Sequence, residues 1–274
     1  MKSKDKPIYL DYNASTPVAQ GVVETMLPYF TEKFGNAGSD HVFGWDSREA
    51  VELAREQISG LLNCKPTGLT FTSGATEAAN LALFGFCEKH KVKGKHIITC
   101  ETEHKAVLDP MQALEKKGFE VTYLKVDTDG IIDLKDLEDA ISSETILVCL
   151  VLANNETGLI HPMAEIEKIV HSKGAKLMSD ITQAVGKISV DLEELNLDMA
   201  IFSSHKIYGP KGIGALYINK KNKVAIDPYV FGGGQEKGMR PGTLNVPGIV
   251  GFGKAAEIAT DRKSTRLNSS HLLI

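Results

Sequence analysis

The 274-residue chain carries 31 Lys and Arg against 35 Asp and Glu, a net charge of −4, with 42% hydrophobic and 24% charged residues. That is the composition of a globular domain with ample core, and the acidic balance argues against a generic nucleic-acid binder. The N-terminus, MKSKDKPIYLDY, lacks the apolar stretch of a secretory signal, and no apolar run nears the ~18 residues of a membrane span, so a cytoplasmic protein without direct nucleic-acid or membrane contact is expected.

In chain order, the spacing of Val51, Ala54, Ile58 and Leu61 predicts a helix over 47–62. Strands are expected at 68–72 (GLTFT), 96–100 (HIITC), 120–124 (EVTYL), 145–152 (TILVCLVL), 176–179 (KLMS), 199–203 (MAIFS) and 214–218 (GALYI). Helices over 106–117 and 163–172 fall between them. Strands alternating with helices imply an α/β domain with a mostly parallel sheet. The nearly all-apolar run at 145–152 suits a strand covered on both faces. In such sheets ligands gather at the carboxyl ends of strands, and that is where the polar motifs lie. Cys64, Cys87, Cys100 and Cys149 form no C-x-x-C pair and fit no zinc spacing. Apolar neighbours point to buried, reduced thiols. A nucleophilic thiol would need an electropositive, accessible setting.

The motifs match, part by part, the needs of pyridoxal phosphate (PLP). In SSHKIYGPKG, Lys206 is placed to hold an aldehyde as an imine, with Ser203 and His205 as phosphate donors. Taken alone, Lys206 would read as a solvated surface lysine. In SDITQAVGK, Asp180 can keep a pyridine nitrogen protonated and Gln183 can donate to a ring oxygen; the plain alternative for Asp180 is a helix N-cap. TSGATEAAN opens a helix after a strand, so the amides of Ala75 and Thr76 make an anion site. The alternative there is a capping box on Ser73, for which Glu77 lies one residue late. In CETEHKAV, His104 can stack on a ring face or move protons near neutral pH, or simply stand at a helix start. Asn155 of LANNETG suits a ring oxygen or a substrate carboxylate. The glycines of FGGGQEKGMRPGT suggest a loop in close contact with a backbone or ligand, which is weak by itself.

Together YLDYNASTP, SGATE, TEHKAV, NNETG, D-x-T-Q, SSHKIYGPKGIGALY and GGGQEKGMRPGT, in that order from about residue 8 to 260, resemble the cysteine desulfurases. These are PLP enzymes of the class V aminotransferase group with the aspartate aminotransferase fold. The nearer likeness is to the branch serving iron–sulfur cluster assembly and thiolation. The resemblance implies conversion of L-cysteine to L-alanine, with the sulfur passed as a persulfide to an acceptor protein, a scaffold or thiolation partner. It gives Lys206 the imine and His104 the stacking and proton-transfer role. Asp180 then partners the ring nitrogen and Gln183 the phenolic oxygen, with Asn155 near the ring and substrate carboxylate. Thr76, Ser203 and His205 hold the phosphate, beside the Ala75 amide already read as part of the anion site. The residue matching Thr243 reaches the phosphate of a neighbouring subunit, which implies a homodimer.

The chain departs from the family at Ala37 after Asn36, at Ser179 and Ile181 beside Asp180, and at Pro241 in the R-x-G-T stretch. The family's nucleophilic cysteine lies well downstream of the lysine, and its substrate-carboxylate arginine further on, in a small domain. None of the four cysteines matches the former. Residues 1–15 are therefore expected to join a small domain that is largely missing, and 16–261 to form the PLP-binding large domain. Residues 262–274 resemble translated sequencing-adapter read-through, hence a non-native tail. Such a chain is expected to be inactive by itself. Other class V enzymes, a selenocysteine lyase or an aminotransferase, remain alternatives, as does a catalytically dead PLP-binding scaffold.

Overall fold

Seven strands build one sheet in the computed structural model, which describes residues 7–270 and the side chains of 7–261. They are β1 (Leu69–Thr72), β2 (His96–Cys100), β3 (Glu120–Leu124), β4 (Thr145–Cys149), β5 (Lys176–Asp180), β6 (Met199–Ser203) and β7 (Gly214–Ile218). Their order across the sheet is β1-β7-β6-β5-β4-β2-β3. The block from β6 to β3 is parallel throughout, and β7 runs antiparallel to both β6 and β1. The helices are α1 (Gln20–Met26), α2 (Pro28–Thr31), α3 (Val42–Leu61), α4 (Ala75–His90), α5 (Lys105–Glu115), α6 (Leu134–Ala140), α7 (Met163–Ser172) and α8 (Val246–Ser270).

Two hydrophobic layers cover the sheet. Val148 and Leu150 of the central segment join the layer built with α3, α7 and α8, while Leu147 and Cys149 join the layer under α4 and α5. Alternate residues thus serve opposite cores, which is why the run reads as continuously apolar. Regular pairing ends at Cys149 rather than at 152. Leu150 and Leu152 still donate to Met178 and Asp180 carbonyls at 3.0 Å, so the segment stays extended while leaving the ladder.

Helix α3 starts at Val42, five residues before the expected start. Val42, Phe43 and Trp45 are exposed, so this first turn adds nothing to the buried stripe that periodicity detects. Ser47 is buried inside it, donating to Gly35 O at 2.7 Å. At the other end of the chain, the α8 backbone runs on to Ser270, into the stretch 262–274 expected to be a non-native tail. Residues 262–270 hold no Gly or Pro to end a helix; 271–274 lie outside the described residues. No described helix is long and apolar enough to cross a membrane.

Candidate active site

A cleft of about 900 Å³ opens where β1, β5 and β6 end. Its wall includes Ala75, Thr76, His104, Asn155, Asp180, Gln183, Ser203, His205 and Lys206. Of the residues singled out from sequence, Thr243 alone is outside it, on an exposed loop. Residues far apart in the chain converge because parallel strands all deliver their ends to one side.

Lys206 closes the short 3₁₀ turn Ser204–Lys206 that follows β6. The chain then doubles back tightly. Tyr208 takes φ 66°, and a Cβ on Gly209 would lie 2.0 Å from Ser204 Oγ. The Lys206 amine donates to the carbonyls of Asn13 and Ala14, the latter at 2.9 Å. Burial pulls its pKa below the usual lysine value, with Asp11 and Asp180 opposing. His205 is likewise lowered by burial, then by Lys206 and Lys211, and its Nδ1 lies 3.2 Å from Ser15 Oγ. The amine and imidazole are thus biased toward their neutral forms, as a nucleophilic amine requires.

Asp180 ends β5 and is buried. Its Oδ1 accepts from Thr182 N at 2.9 Å, and no described group donates to Oδ2. Burial raises its pKa against the hydrogen bond from Thr182 N and the nearby His104 and Lys206. The Thr182 hydroxyl is buried without a partner. Gln183 donates from Nε2 to Asn13 O at 3.0 Å and accepts from Lys187, so its amide is engaged by the N-terminal segment.

At the opposite wall, the turn after β1 enters α4 through Gly74 with no side-chain cap. The capping-box reading fails in its first half, since Ser73 does not cap. The second half survives in shifted form: Ser73 N donates to Glu77 Oε2 at 2.6 Å. The amides of Ala75 and Thr76 have no acceptor among the described residues and open onto the cleft, the arrangement that suits an anion. Gly214 makes this placement possible, because a Cβ there would sit 2.7 Å from the Gly74 backbone. His104 satisfies both readings at once. Its Nδ1 caps α5, accepting from Ala106 N at 3.0 Å, while the ring lines the cleft. In the neutral ring that bond leaves the proton on Nε2.

The donor set fits PLP. There is an amine biased toward neutrality, a buried carboxylate with a free oxygen, and a cluster of unpaired amides beside Ser203 and His205. The cysteines stay apart from it, none lining the cleft. Cys100 is buried, with Sγ 3.2 Å from Thr102 Oγ1, and burial raises its pKa. Burial also pushes Cys87 up to about 12, and Cys64, which is half-buried, to about 12.

Sequence comparison agrees with this reading. The aminotransferase class-V family model matches residues 8–271. A cysteine desulfurase IscS of Anaeromyxobacter sp. (strain Fw109-5) is 54% identical over 254 residues, 92% of this chain and 63% of that protein. Among solved structures, a NifS-like protein superposes with a TM-score of 0.91 at 43% identity, covering 94% of this chain and 71% of the other. SspA in complex with cysteine superposes at 0.88 with 40% identity, covering 91% of this chain and 72% of the other. The chain belongs to the aminotransferase class-V family, whose members here are PLP-dependent. It spans about 63% of the length of the curated relatives it matches.

Sequence reasoning missed part of the cleft. Asp11 and Asn13 to Ser15 line it. Thr16 ties this segment down, giving its hydroxyl to His205 O at 2.8 Å and taking Tyr208 N at 2.9 Å. The motif YLDYNASTP was visible, but nothing local says which distant turn it meets. Glu103, which does not line the cleft, was not singled out from sequence either. It precedes His104, is buried, and accepts from Val151 N at 2.6 Å. Burial holds its pKa well above the usual carboxylate value, with Asp180 adding to the rise.

Proposed function

We propose that the whole protein to which this chain belongs is an L-cysteine desulfurase, releasing L-alanine and passing sulfur to an acceptor protein. The observation that carries this reading is the meeting of Lys206, Asp180 and the α4 amides in one cleft, together with relatives bearing that activity in their names. Lys206 would hold PLP covalently, Asp180 would keep a proton on the ring nitrogen, and His104 would cover a ring face. Ala75, Thr76, Ser203 and His205 would take the phosphate, with Gln183 and Asn155 toward the ring oxygen and substrate carboxylate. When bound, PLP supplies an electron sink for charge left at the substrate α-carbon. The residues do the rest. The Lys206 amine, favoured toward its neutral form, would accept a proton from the substrate amine or α-carbon, and His104 Nε2 would exchange a proton with the substrate.

Thr243 is exposed and outside its own cleft, which supports a homodimer in which it serves the neighbouring subunit. We place the protein in the cytoplasm. The test is product analysis on a full-length version, extended through the family's small domain, with PLP and L-cysteine. Alanine in step with sulfide or persulfide is expected. Formation of a keto acid from cysteine, with no alanine, would identify an aminotransferase or lyase of the same family instead.

A further inference from the structure

Strand β1 is an edge of the sheet, and its outer side meets side chains instead of a strand. Leu69 O accepts from Arg55 Nη1 at 2.8 Å, Phe71 N donates to Glu236 Oε2 at 2.8 Å, and Ser73 N donates to Glu77 Oε2 at 2.6 Å. Both carboxylates are themselves gripped by arginine forks. Arg55 holds Glu236 at 2.8 and 3.1 Å, and Arg240 holds Glu77 at 2.7 and 3.2 Å. Glu236 and Arg240 belong to the one loop that also carries Thr243. The exposed edge is thereby closed, and the loop is fastened at two points, through Glu236 to α3 and β1 and through Arg240 to the turn that opens α4.

The second fastening has a chemical consequence. Glu77 is the third residue of α4, in the turn whose free amides would receive the phosphate. A bare carboxylate there opposes a phosphate dianion. Arg240 cancels it at bidentate distance, and the same contact turns Glu77 back onto Ser73 N, away from the free amides. Although burial favours the neutral acid, the Arg240 and Ser73 hydrogen bonds keep Glu77 below the usual carboxylate pKa.

We propose that Arg240 is a positioning residue for the phosphate end of the cofactor: it neutralises Glu77 and, through it, holds the Ser73–Thr76 turn in its anion-binding form. The inference rests on the phosphate lying at the start of α4. It predicts an effect specific to the phosphate group. The test titrates the apo full chain with PLP and, separately, with pyridoxal, which lacks the phosphate, following cofactor absorbance. Arg240→Ala should weaken PLP binding by about tenfold or more while leaving pyridoxal within about twofold, the scale of one uncompensated charge. Adding Glu77→Gln to Arg240→Ala should recover at least about fivefold, because the repelling charge is gone while the amide oxygen still accepts from Ser73 N. Glu77→Gln alone should bind PLP at least as tightly as the wild type, and this variant decides the matter if Arg240→Ala does not fold. Equal loss for both ligands in Arg240→Ala, no recovery in the double variant, or a tenfold loss in Glu77→Gln would each overturn the proposal. A wild-type protein that binds pyridoxal as tightly as PLP would instead overturn the placement of the phosphate, and the proposal with it.

Discussion

Strands β5 and β6 carry ionisable groups at both ends, and the two clusters are built in opposite ways. Where the strands begin, every charge meets its opposite. The fully buried Asp198 carboxylate lies 2.6 Å from His171 Nε2 and 3.0 Å from Lys176 Nζ, and takes Leu177 N at 2.8 Å. Glu167 completes the group, 2.6 Å from His171 Nδ1. The Asp198 hydrogen bond raises the His171 pKa; burial works against ionised Asp198, but His171, Leu177 and Lys176 outweigh it and lower its pKa. Where the strands finish, the directions reverse. Asp180 is raised, Lys206 and His205 are lowered, and the Thr182 hydroxyl is left unpaired. One end has settled its charges internally. The other leaves donors and acceptors open, as a site that takes a charged ligand does. Stability and function are thus separated along about five residues of the same strands.

The sharpest test of that separation is Lys206→Ala. It should abolish the visible absorbance of lysine-bound PLP and the borohydride-reducible link, and lower turnover by ~10³-fold or more. A reducible link surviving on another lysine would remove Lys206 from its role. A matched pair comes next. Asp180→Asn should cost ~10²-fold in turnover with little change in urea midpoint, since a carboxylate disfavoured by burial is replaced by a neutral isostere. Asp198→Asn should do the reverse, costing about 3 kcal/mol of stability by leaving Lys176 uncompensated and His171 with Glu167 alone. Equal effects of the two substitutions would erase the distinction between the ends.

The pH dependence of stability follows from the same contrast. His171 has a folded pKa above its unfolded value. Its stabilisation is therefore complete below the ordinary histidine value of about 6.5 and lost as pH rises through the higher folded value. Asp198 is depressed, so its contribution is present above the ordinary value of about 3.9 and lost as acid takes pH through the lower folded one. Urea midpoints of the wild type and His171→Asn should converge between pH 6 and pH 9. A constant gap would show that His171 acts by packing alone. The smallest effect is expected from Cys100→Ser. Turnover of the full-length version should stay within about twofold, with a stability loss of ~1 kcal/mol. Lost sulfide release would mean that this buried thiol is the nucleophile.

Much of this was legible before folding. The strand at 145–152 announced a centre covered on both faces, and the polar residues just beyond β5 and β6 announced a site, because period and position are local properties. Asp180, Ser203, His205 and Lys206 could be read from two stretches of about ten residues each. His104 could not be resolved into cap or ring neighbour, since the sequence position serves both and the structure uses both. Helix α3 lost its first turn to the same limitation, because exposed Val42, Phe43 and Trp45 break the stripe.

The sequence by itself determined the alternation of strands and helices, the mostly parallel sheet and most of the polar side chains that line the cleft, all of which follow from short-range pattern and residue chemistry. Only the tertiary structure decided which distant groups meet. Asn13 and Ala14 reach Lys206 across 193 and 192 residues of chain, Glu77 is neutralised by Arg240, and β7 inserts antiparallel so that Gly214 lies under Gly74. Such pairings carry no periodic signal. They are set by the closing of the sheet edge and the burial of charge, which exist only once the chain has packed.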